Sequence, residues 1–156
     1  MMKPRDTLSG SAQALAQACA DAMWRDDRAS KALGMSIRKI APGEAVLAMK
    51  VRPDMTNGHD ICHGGFIFTL ADSAFAFACN TYNQRAVAQQ CAVTFIRAVP
   101  AGETLTAHAV ERSKAGRGGI YDVTVRDSKN IVVAEFRGHS RTIFGELLPP
   151  NAIKDE

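Results

Sequence analysis

A single carboxylate, Asp72, stands in the apolar run ICHGGFIFTLADSAFAFAC, behind His63, Gly64 and Gly65. Burying a carboxylate costs free energy unless the group is paired or used in chemistry. No Lys or Arg occupies the positions three or four residues away, where a helical ion pair would form. An unpaired acid of this kind can attack an electrophile or activate water.

The two glycines lie where a long helix is predicted to begin, since residues 64–80 are rich in helix-compatible apolar residues. The first N–H groups of a helix lack acceptors within it, and glycine lets a ligand oxygen approach them closely. Acyl transfer requires two parts: hydrogen-bond donors that stabilise a developing oxyanion, and a group such as a carboxylate that attacks or activates water. The alternative is structural: the glycines only allow tight packing, and Thr69 or backbone donors satisfy Asp72.

The spacing between these parts limits how they act together. Gly64 and Asp72 are eight residues apart, or about 12 Å along a helix, whereas a reacting carbonyl must lie about 3 Å from both groups. One helix therefore cannot supply both. Two copies packed antiparallel across a two-fold axis can, so we expect a homodimer that shares its active sites.

The elements around this helix follow from periodicity. Residues 11–34 are predicted to form a helix that ends at Gly34, and residues 35–53 a β-hairpin. From Ala86 onward the period changes to two, in four strand-like runs separated by turn residues, which predict a four-stranded antiparallel meander whose last two strands form a hairpin. The expected class is α+β, with an antiparallel sheet around the central helix.

Length and composition set the broad class. A chain of 156 residues, 46% hydrophobic and 22% charged, is expected to form one soluble domain. We expect residues 1–10 to be a disordered N-terminal segment, residues 11–145 to be the domain, and residues 146–156 to be a flexible tail.

Charge and cysteine usage narrow the partners and the compartment. The net charge of +3 is dispersed, which argues against nucleic acid but suits a small polyanionic ligand. The four cysteines lack CxxC spacing, so we expect reduced thiols in the cytoplasm. Neither a signal peptide nor a membrane span is predicted.

Several segments together resemble a known family. NGHDICHGGFIFTLADSAFAFACN, followed by AVAQQCAVTFIRAVPAGETLTA and later by YDVTV and AEFRGHSRTI, resembles the PaaI-type phenylacetic acid degradation thioesterases of the hot-dog superfamily, over roughly residues 20–145. The resemblance implies a hot-dog fold plus an N-terminal helix. It also implies a cytoplasmic acyl-CoA thioesterase that acts on phenylacetyl-CoA or hydroxyphenylacetyl-CoA and assembles as a homotetramer of dimers.

The resemblance also assigns residues by position. Asp72 matches the catalytic carboxylate, as nucleophile or as general base, and Gly64 and Gly65 match the backbone donors that polarise the thioester carbonyl. Asn57 and His63 match residues that line the same pocket. Many relatives carry small or hydroxyl residues where this chain has Gln89 and Gln90. These two glutamines are assigned to substrate binding together with Thr69 and Ser73, which share the helix face of Asp72.

Coenzyme A is expected only as part of the substrate, without a separate cofactor. The expected contacts to its phosphates and adenine are basic residues and a strand glycine, namely Arg97, Arg117, Arg137, Gly138 and His139. Arg137 and Gly138 are favoured, because a glycine within a strand often marks a close approach of the backbone.

Other chemistries are weaker predictions. His59, Cys62 and His63 lack zinc-like spacing, so no metal is expected, and a Cys62 nucleophile is less favoured than a structural thiol. A hydratase on the same fold generally pairs its Asp with a His five residues later, where this chain has Phe77. A non-catalytic acyl-CoA sensor and a thioesterase for other medium-size acyl-CoAs remain alternatives.

Overall fold

The computed structural model describes the backbone of residues 4–150 and 152 and the side chains of residues 11–150 and 152. The elements along this part of the chain are α1 (Pro4–Asp26), α2 (Arg28–Ala32), β1 (Ser36–Ala41), β2 (Glu44–Lys50), a 3-10 turn (Pro53–Met55), α3 (Gly64–Cys79), β3 (Ala86–Phe95), β4 (Thr104–Ala115), β5 (Gly118–Arg126) and β6 (Val132–Thr142).

The six strands form one antiparallel sheet in the order β1-β2-β4-β5-β6-β3. The predicted hairpins β1-β2 and β5-β6 are confirmed. The predicted four-stranded meander is wrong for β3, which pairs with β6 at the edge of the sheet. The chain between β3 and β4 crosses near the start of α3, where Val99 O accepts from Cys62 N–H at 2.7 Å. Period-two patterning does not encode such a crossover.

The sheet curls around α3, and this helix supplies much of the core. Eight of its residues are buried, because it is apolar on nearly every face and needs cover on several sides. The ring of Phe75 packs against Tyr121 of β5 and Phe136 of β6 at centroid distances of 5.5 and 5.9 Å. This is the predicted hot-dog architecture. The packing of α3 against the sheet determines which of its residues face the strands and which remain accessible.

The C-terminal end of α3 is tied to β3 by one side chain. Asn80 is 4% exposed and donates through Nδ2 to Ala76 O and Ala86 O, while its Oδ1 accepts from Ala86 N–H. These bonds satisfy groups that a helix end and a strand start would otherwise leave unpaired. The direction of β3 relative to α3 is thereby set.

The N-terminal helical region differs from its predicted bounds. It is divided in two because Asp27 caps α2 by accepting from Ser30 N–H at 2.9 Å. Gly34 ends the region at φ +70, as predicted. Helix α1 begins at Pro4 and not at residue 11, so the segment expected to be disordered overlaps it from residue 4 onward; residues 1–3 lie outside the described residues. Among the described helices, none is both long and apolar enough to cross a bilayer.

Part of the predicted flexible tail is anchored. Leu147 N–H and Leu148 N–H both donate to Asn83 Oδ1, and Glu146 O accepts from Arg85 Nε. These bonds correct the prediction for residues 146–148. Residues 151 and 153–156 lie outside the described residues.

Strand β1 forms the other edge of the sheet. Its register with β2 shifts between Ile37 and Lys39, so Arg38 is an extra residue in the pairing. Both Arg38 and Lys39 are exposed, which places two cations on this irregular edge.

Candidate functional site

His63 caps the start of α3. Its backbone is extended, its Nδ1 accepts from Gly65 N–H at 2.9 Å, and its carbonyl accepts from Phe66 N–H at 3.0 Å. Gly65, predicted to polarise a carbonyl, is therefore already engaged, and that prediction is corrected. Gly64 N–H has no acceptor among the described residues, so it is the donor that remains for a ligand at the positive end of the helix dipole.

A cavity of about 360 Å³ opens beside this free donor. It brings together three of the predicted site residues, Asn57, Gly64 and Arg97. Asn57 Oδ1 accepts from His59 N–H at 2.9 Å. The rest of the lining is mainly apolar, formed by Ile61, Cys62, Ile67, Phe95, Ile96, Ala98 and Val99. The cavity can therefore hold an apolar group beside a polar anchor.

The ring of Phe95 explains why position 64 is glycine. A Cβ atom at Gly64 would lie 2.8 Å from Phe95 Cζ, closer than real Cβ contacts allow. The exposed fraction of Phe95 is 50%, so the ring covers one side of the helix start while its other side faces solvent. A side chain at this position would thus require the half-exposed ring of Phe95 to shift, whereas glycine leaves the helix start open to a ligand.

Asp72 is half-buried on α3 and has no cationic partner among the described residues. The structural alternative, satisfaction by Thr69, is not observed, because the Thr69 hydroxyl donates to Gly65 O at 2.8 Å. Ser73 Oγ lies 3.0 Å from Ser30 Oγ. Burial raises the pKa of Asp72 above its ordinary value. The assignment of Thr69 and Ser73 to substrate binding stays a prediction.

One residue beside Asp72 was missed in the sequence. Cys91 of β3 lies with Sγ 3.9 Å from Asp72 Oδ1 and is oriented to donate to it. Cys91 is paired with Gly138 of β6, and Gly138 faces the ring of Phe75 on the inner side of the sheet. Cys91 could have been suspected because it lies in a strand that faces the helix. Strict alternation along β3 from Ala88, however, would place Gln90 and not Cys91 on the inner face.

The reason is an irregularity in β3. The pairing runs from Ala88 with Ser140 to Gln90 with His139, so Gln89 is an extra residue. Gln90 shares the face of His139, opposite the face of Cys91, and both glutamines are exposed. Within one protomer Gln90 therefore points away from the face of Cys91, and the assignment of Gln89 and Gln90 to substrate binding stays a prediction.

The favoured contacts for coenzyme A, Arg137 and Gly138, have other partners within the protomer, and their contact with coenzyme A stays a prediction. Arg137 pairs with Asp122 through two bonds of 2.6 and 2.9 Å, and Arg112 joins the same carboxylate at 3.0 Å. These guanidinium groups lower the pKa of Asp122. At Gly138, a Cβ would lie 2.8 Å from the ring of Phe75, so the missing side chain makes room for the core.

Among the other basic residues predicted to contact coenzyme A, Arg97 has the position that best suits this role. It lines the cavity at Gly64. Arg117 donates through Nε and a terminal nitrogen to Thr142 O at 3.3 and 3.0 Å, which leaves its charge without a counter-ion in that contact. His139 lies on the outer face of the sheet, opposite Gln90. The contacts of Arg97, Arg117 and His139 with coenzyme A stay predictions.

The thiol and metal alternatives find little support in the geometry. Cys62 is buried, which raises the pKa of its thiol and disfavours the thiolate, and its Sγ donates to His63 O. Across the described residues, no three His, Cys, Asp or Glu side chains come together as metal ligands.

The two chemical parts lie apart in the protomer, as their spacing predicts. Asp72 lies beside Cys91 and is not among the residues lining the cavity at Gly64. Each protomer therefore presents one carboxylate region and one donor region along the same helix.

Comparison with known proteins defines the class. Residues 59–134 match the family model described as the thioesterase superfamily. Acyl-coenzyme A thioesterase PaaI of Escherichia coli is 44% identical over 128 residues, which span 82% of this chain and 91% of that protein. The chain therefore belongs to the thioesterase superfamily, and it is a thioester hydrolase.

Solved structures agree on the particular branch to which the chain is similar. The E. coli PaaI protein from the phenylacetic acid degradation operon superposes with a TM-score of 0.85 at 43% identity, covering 86% of this chain and 98% of that one. A mutant of the phenylacetic acid degradation protein PaaI from Thermus thermophilus superposes with a TM-score of 0.72 at 41% identity, covering 75% of this chain and 100% of that one.

Proposed function

We propose that this protein hydrolyses phenylacetyl-CoA or hydroxyphenylacetyl-CoA to the free acid and coenzyme A, in the cytoplasm, as a step of phenylacetate catabolism. The observation that carries the proposal is the pairing of a free Gly64 N–H beside an apolar cavity with a half-buried carboxylate that has no cation among the described residues. The apolar lining suits an aromatic acyl group, and the names of the two PaaI relatives, from E. coli and T. thermophilus, support the substrate class. No separate cofactor takes part.

A dimer through β3 would complete the site. The outer edge of β3 carries no strand partner within the described protomer, and Val87, Phe95 and Ile96 on or beside it have exposed fractions of 46%, 50% and 49%. An open apolar edge of ten residues requires a cover. A two-fold axis at the middle of β3 pairs the two edges antiparallel and brings the two α3 helices antiparallel, with Asp72 of one protomer near Gly64 of the other.

The proposed reaction uses each group once. Gly64 N–H holds the thioester carbonyl oxygen as negative charge develops on it. The Asp72 carboxylate either takes a proton from a water molecule whose oxygen attacks the carbonyl carbon, or attacks that carbon itself and forms an anhydride that water then cleaves. In both routes the C–S bond breaks, coenzyme A leaves as the thiolate and takes up a proton, and one water molecule is consumed; its oxygen enters the product directly in the general-base route, and enters either the product or Asp72 when the anhydride is cleaved.

The first test is a thiol-release assay over a panel of acyl-CoAs, on the wild type and Asp72→Asn. We expect aromatic acetyl-CoA substrates to give the highest kcat/KM, and Asp72→Asn to lower kcat by about a thousandfold, as for loss of an essential base or nucleophile. Asp60→Asn, an exposed acid on a loop, is the control and is expected to keep its turnover. Tight binding of acyl-CoA without turnover would instead favour a sensor.

The second test addresses the shared site. Gly64→Ala places a Cβ against the ring of Phe95 at the helix start, and Asp72→Asn removes the carboxylate, so each variant alone is expected to lose activity. In a heterodimer of the two, one of the two sites contains both native groups, so mixing by denaturation and refolding should restore activity. Gly58→Ala meets no atom within 4 Å and serves as the control. Absence of restored activity contradicts the shared site.

The resemblance further suggests a homotetramer and a role for Arg97 toward the phosphates of coenzyme A. Ile143 and Phe144, which follow β6, have exposed fractions of 42% and 101% and offer an apolar contact for a second dimer. Arg97→Ala is expected to raise KM more than it changes kcat, because a phosphate contact is remote from the reacting carbonyl.

A further inference from the structure

We infer that Cys91 is a positioning residue for Asp72: its thiol donates to Oδ1 and leaves Oδ2 as the oxygen that reacts. The inference rests on the proposed role of Asp72. It adds a group from a different element, β3, to the site on α3.

The geometry of the carboxylate supports this division of labour. Cys91 Sγ lies 3.9 Å from Asp72 Oδ1 and makes the single side-chain hydrogen bond to Asp72 found among the described residues. The hydroxyls on the same helix face are directed elsewhere, since Thr69 donates to Gly65 O and Ser73 contacts Ser30. Because the thiol binds Oδ1, Oδ2 is the carboxylate oxygen that is left to react with water or with the thioester. Catalytic hydrogen bonds that are long without substrate commonly shorten in the complex.

Cys91 is present as a thiol and not as a thiolate. Burial raises its pKa, and the negative charge of Asp72 raises it further. The sulfur therefore keeps its proton at neutral pH and can act as a donor. The same effect makes it a poor nucleophile, which leaves the covalent chemistry to Asp72.

The backbone holds the thiol in place. Because Gln89 is an extra residue in β3, the inward positions on either side of it are Ala88 and Cys91. Cys91 then pairs with Gly138, whose missing side chain admits the ring of Phe75. The strand pairing and the core thus set the position of Cys91 within the protomer.

The hydrogen bond is tested by infrared spectroscopy without any need for activity. A difference spectrum between the wild type and Cys91→Ala isolates the S–H stretching band of Cys91. The same difference between Asp72→Ala and the double variant Asp72→Ala with Cys91→Ala is expected to show this band at higher frequency, because the acceptor is gone. An unchanged band position overturns the inference.

The positioning role is tested by kinetics. We expect Cys91→Ala to lower kcat about tenfold with little change in KM, because a hydrogen bond to a charged group is lost. Cys91→Ser is expected to recover most of that loss, because the hydroxyl also donates. Cys19→Ala, which removes a buried thiol from α1, is the control for thiol loss in general, with thermal unfolding followed for every variant.

The outcomes separate the inference from the proposed function. Equal losses for Cys91→Ala and Cys91→Ser, or a loss confined to KM, indicate packing and overturn the inference. An unchanged kcat in Cys91→Ala also overturns it. If the wild type hydrolyses no thioester in the panel, the proposed function fails, and the infrared band alone decides whether the thiol binds the carboxylate.

Discussion

Burial of the Asp72 carboxylate costs folding free energy, and no cation among the described residues of the protomer offsets that cost. The carboxylate is half-buried, its pKa is raised by burial, and its hydrogen-bond donor is a thiol, which is a weak one. Residues that serve structure alone are seldom left in this condition, whereas catalytic groups commonly are. Function and stability are therefore expected to oppose each other at this position.

This opposition gives a prediction about stability and pH. The folded state binds the Asp72 proton more tightly than the unfolded chain, so the free energy of unfolding falls as pH rises from the ordinary Asp range through the raised pKa. Asp72→Asn has no charge to bury and is expected to be more stable than the wild type near neutral pH. The gain should shrink in acid, where Asp72 is protonated.

The measurement is urea unfolding at fixed protein concentration, near neutral pH and in acid. Asp60→Asn is the matched control, because Asp60 is exposed and Asn tolerates its positive φ of 60. A loss of stability in Asp72→Asn near neutral pH would show that the carboxylate is well solvated or paired in the assembled protein.

At this scale the sequence identified some residues and missed others for a physical reason. Asp72 and His63 could be found because one lies on α3 and the other directly precedes it, so the sequence alone places both relative to the start of the helix. Cys91 could not, since its contact with Asp72 depends on strand pairing and on the extra residue Gln89. The engagement of Gly65 by His63 depends on a side-chain torsion, which spacing does not determine.

At the scale of elements, the strands were recognisable but their order was not. The alternation of β5 and β6 and the turn at residues 127–130 predict a hairpin directly. The partner of β3 is set by the crossing of residues 96–103 past the start of α3, where Cys62 bonds to Val99. A contact between residues so far apart in the sequence produces no local periodicity from which it could be predicted.

The packing of α3 against β6 gives a prediction at the same scale. In Gly138→Ala the new Cβ lies 2.8 Å from the ring of Phe75, which is fully buried. We expect a loss of about 1–3 kcal/mol in the free energy of unfolding, as for other overpacked cores. Gly118→Ala, whose Cβ would find its nearest atoms at 3.8 and 3.9 Å, is expected to change stability by less than about 0.5 kcal/mol.

Urea unfolding of both variants checks this expectation. Adding Phe75→Leu to Gly138→Ala should recover part of the loss, because the smaller side chain relieves the contact. Equal stabilities for Gly138→Ala and Gly118→Ala would mean that Phe75 can move, and would reopen the question of why position 138 is glycine.

At the scale of the whole molecule, the proposed shared site makes activity depend on association. In that arrangement the Gly64 donor and the Asp72 carboxylate of one protomer act on different substrates, so a monomer is expected to be inactive. Val87→Glu, which puts a charge on the apolar edge of β3, is expected to shift the assembly toward monomer and to lower activity in proportion.

Sedimentation velocity and activity over a dilution series check this expectation. Lys129→Glu, a charge change on the exposed turn before β6, is the control and should change neither quantity. A fully active monomer of Val87→Glu would place both reacting groups within a single chain.

The irregular edge at β1 bears on how far such an assembly can grow. If two copies join through β3, the strands left at both ends of the continuous sheet are the two copies of β1. Each carries an extra residue at Arg38 and the exposed cations Arg38 and Lys39, features that discourage further strand addition. Growth by sheet extension is therefore expected to stop at two chains, so that this protein resists forming fibrils.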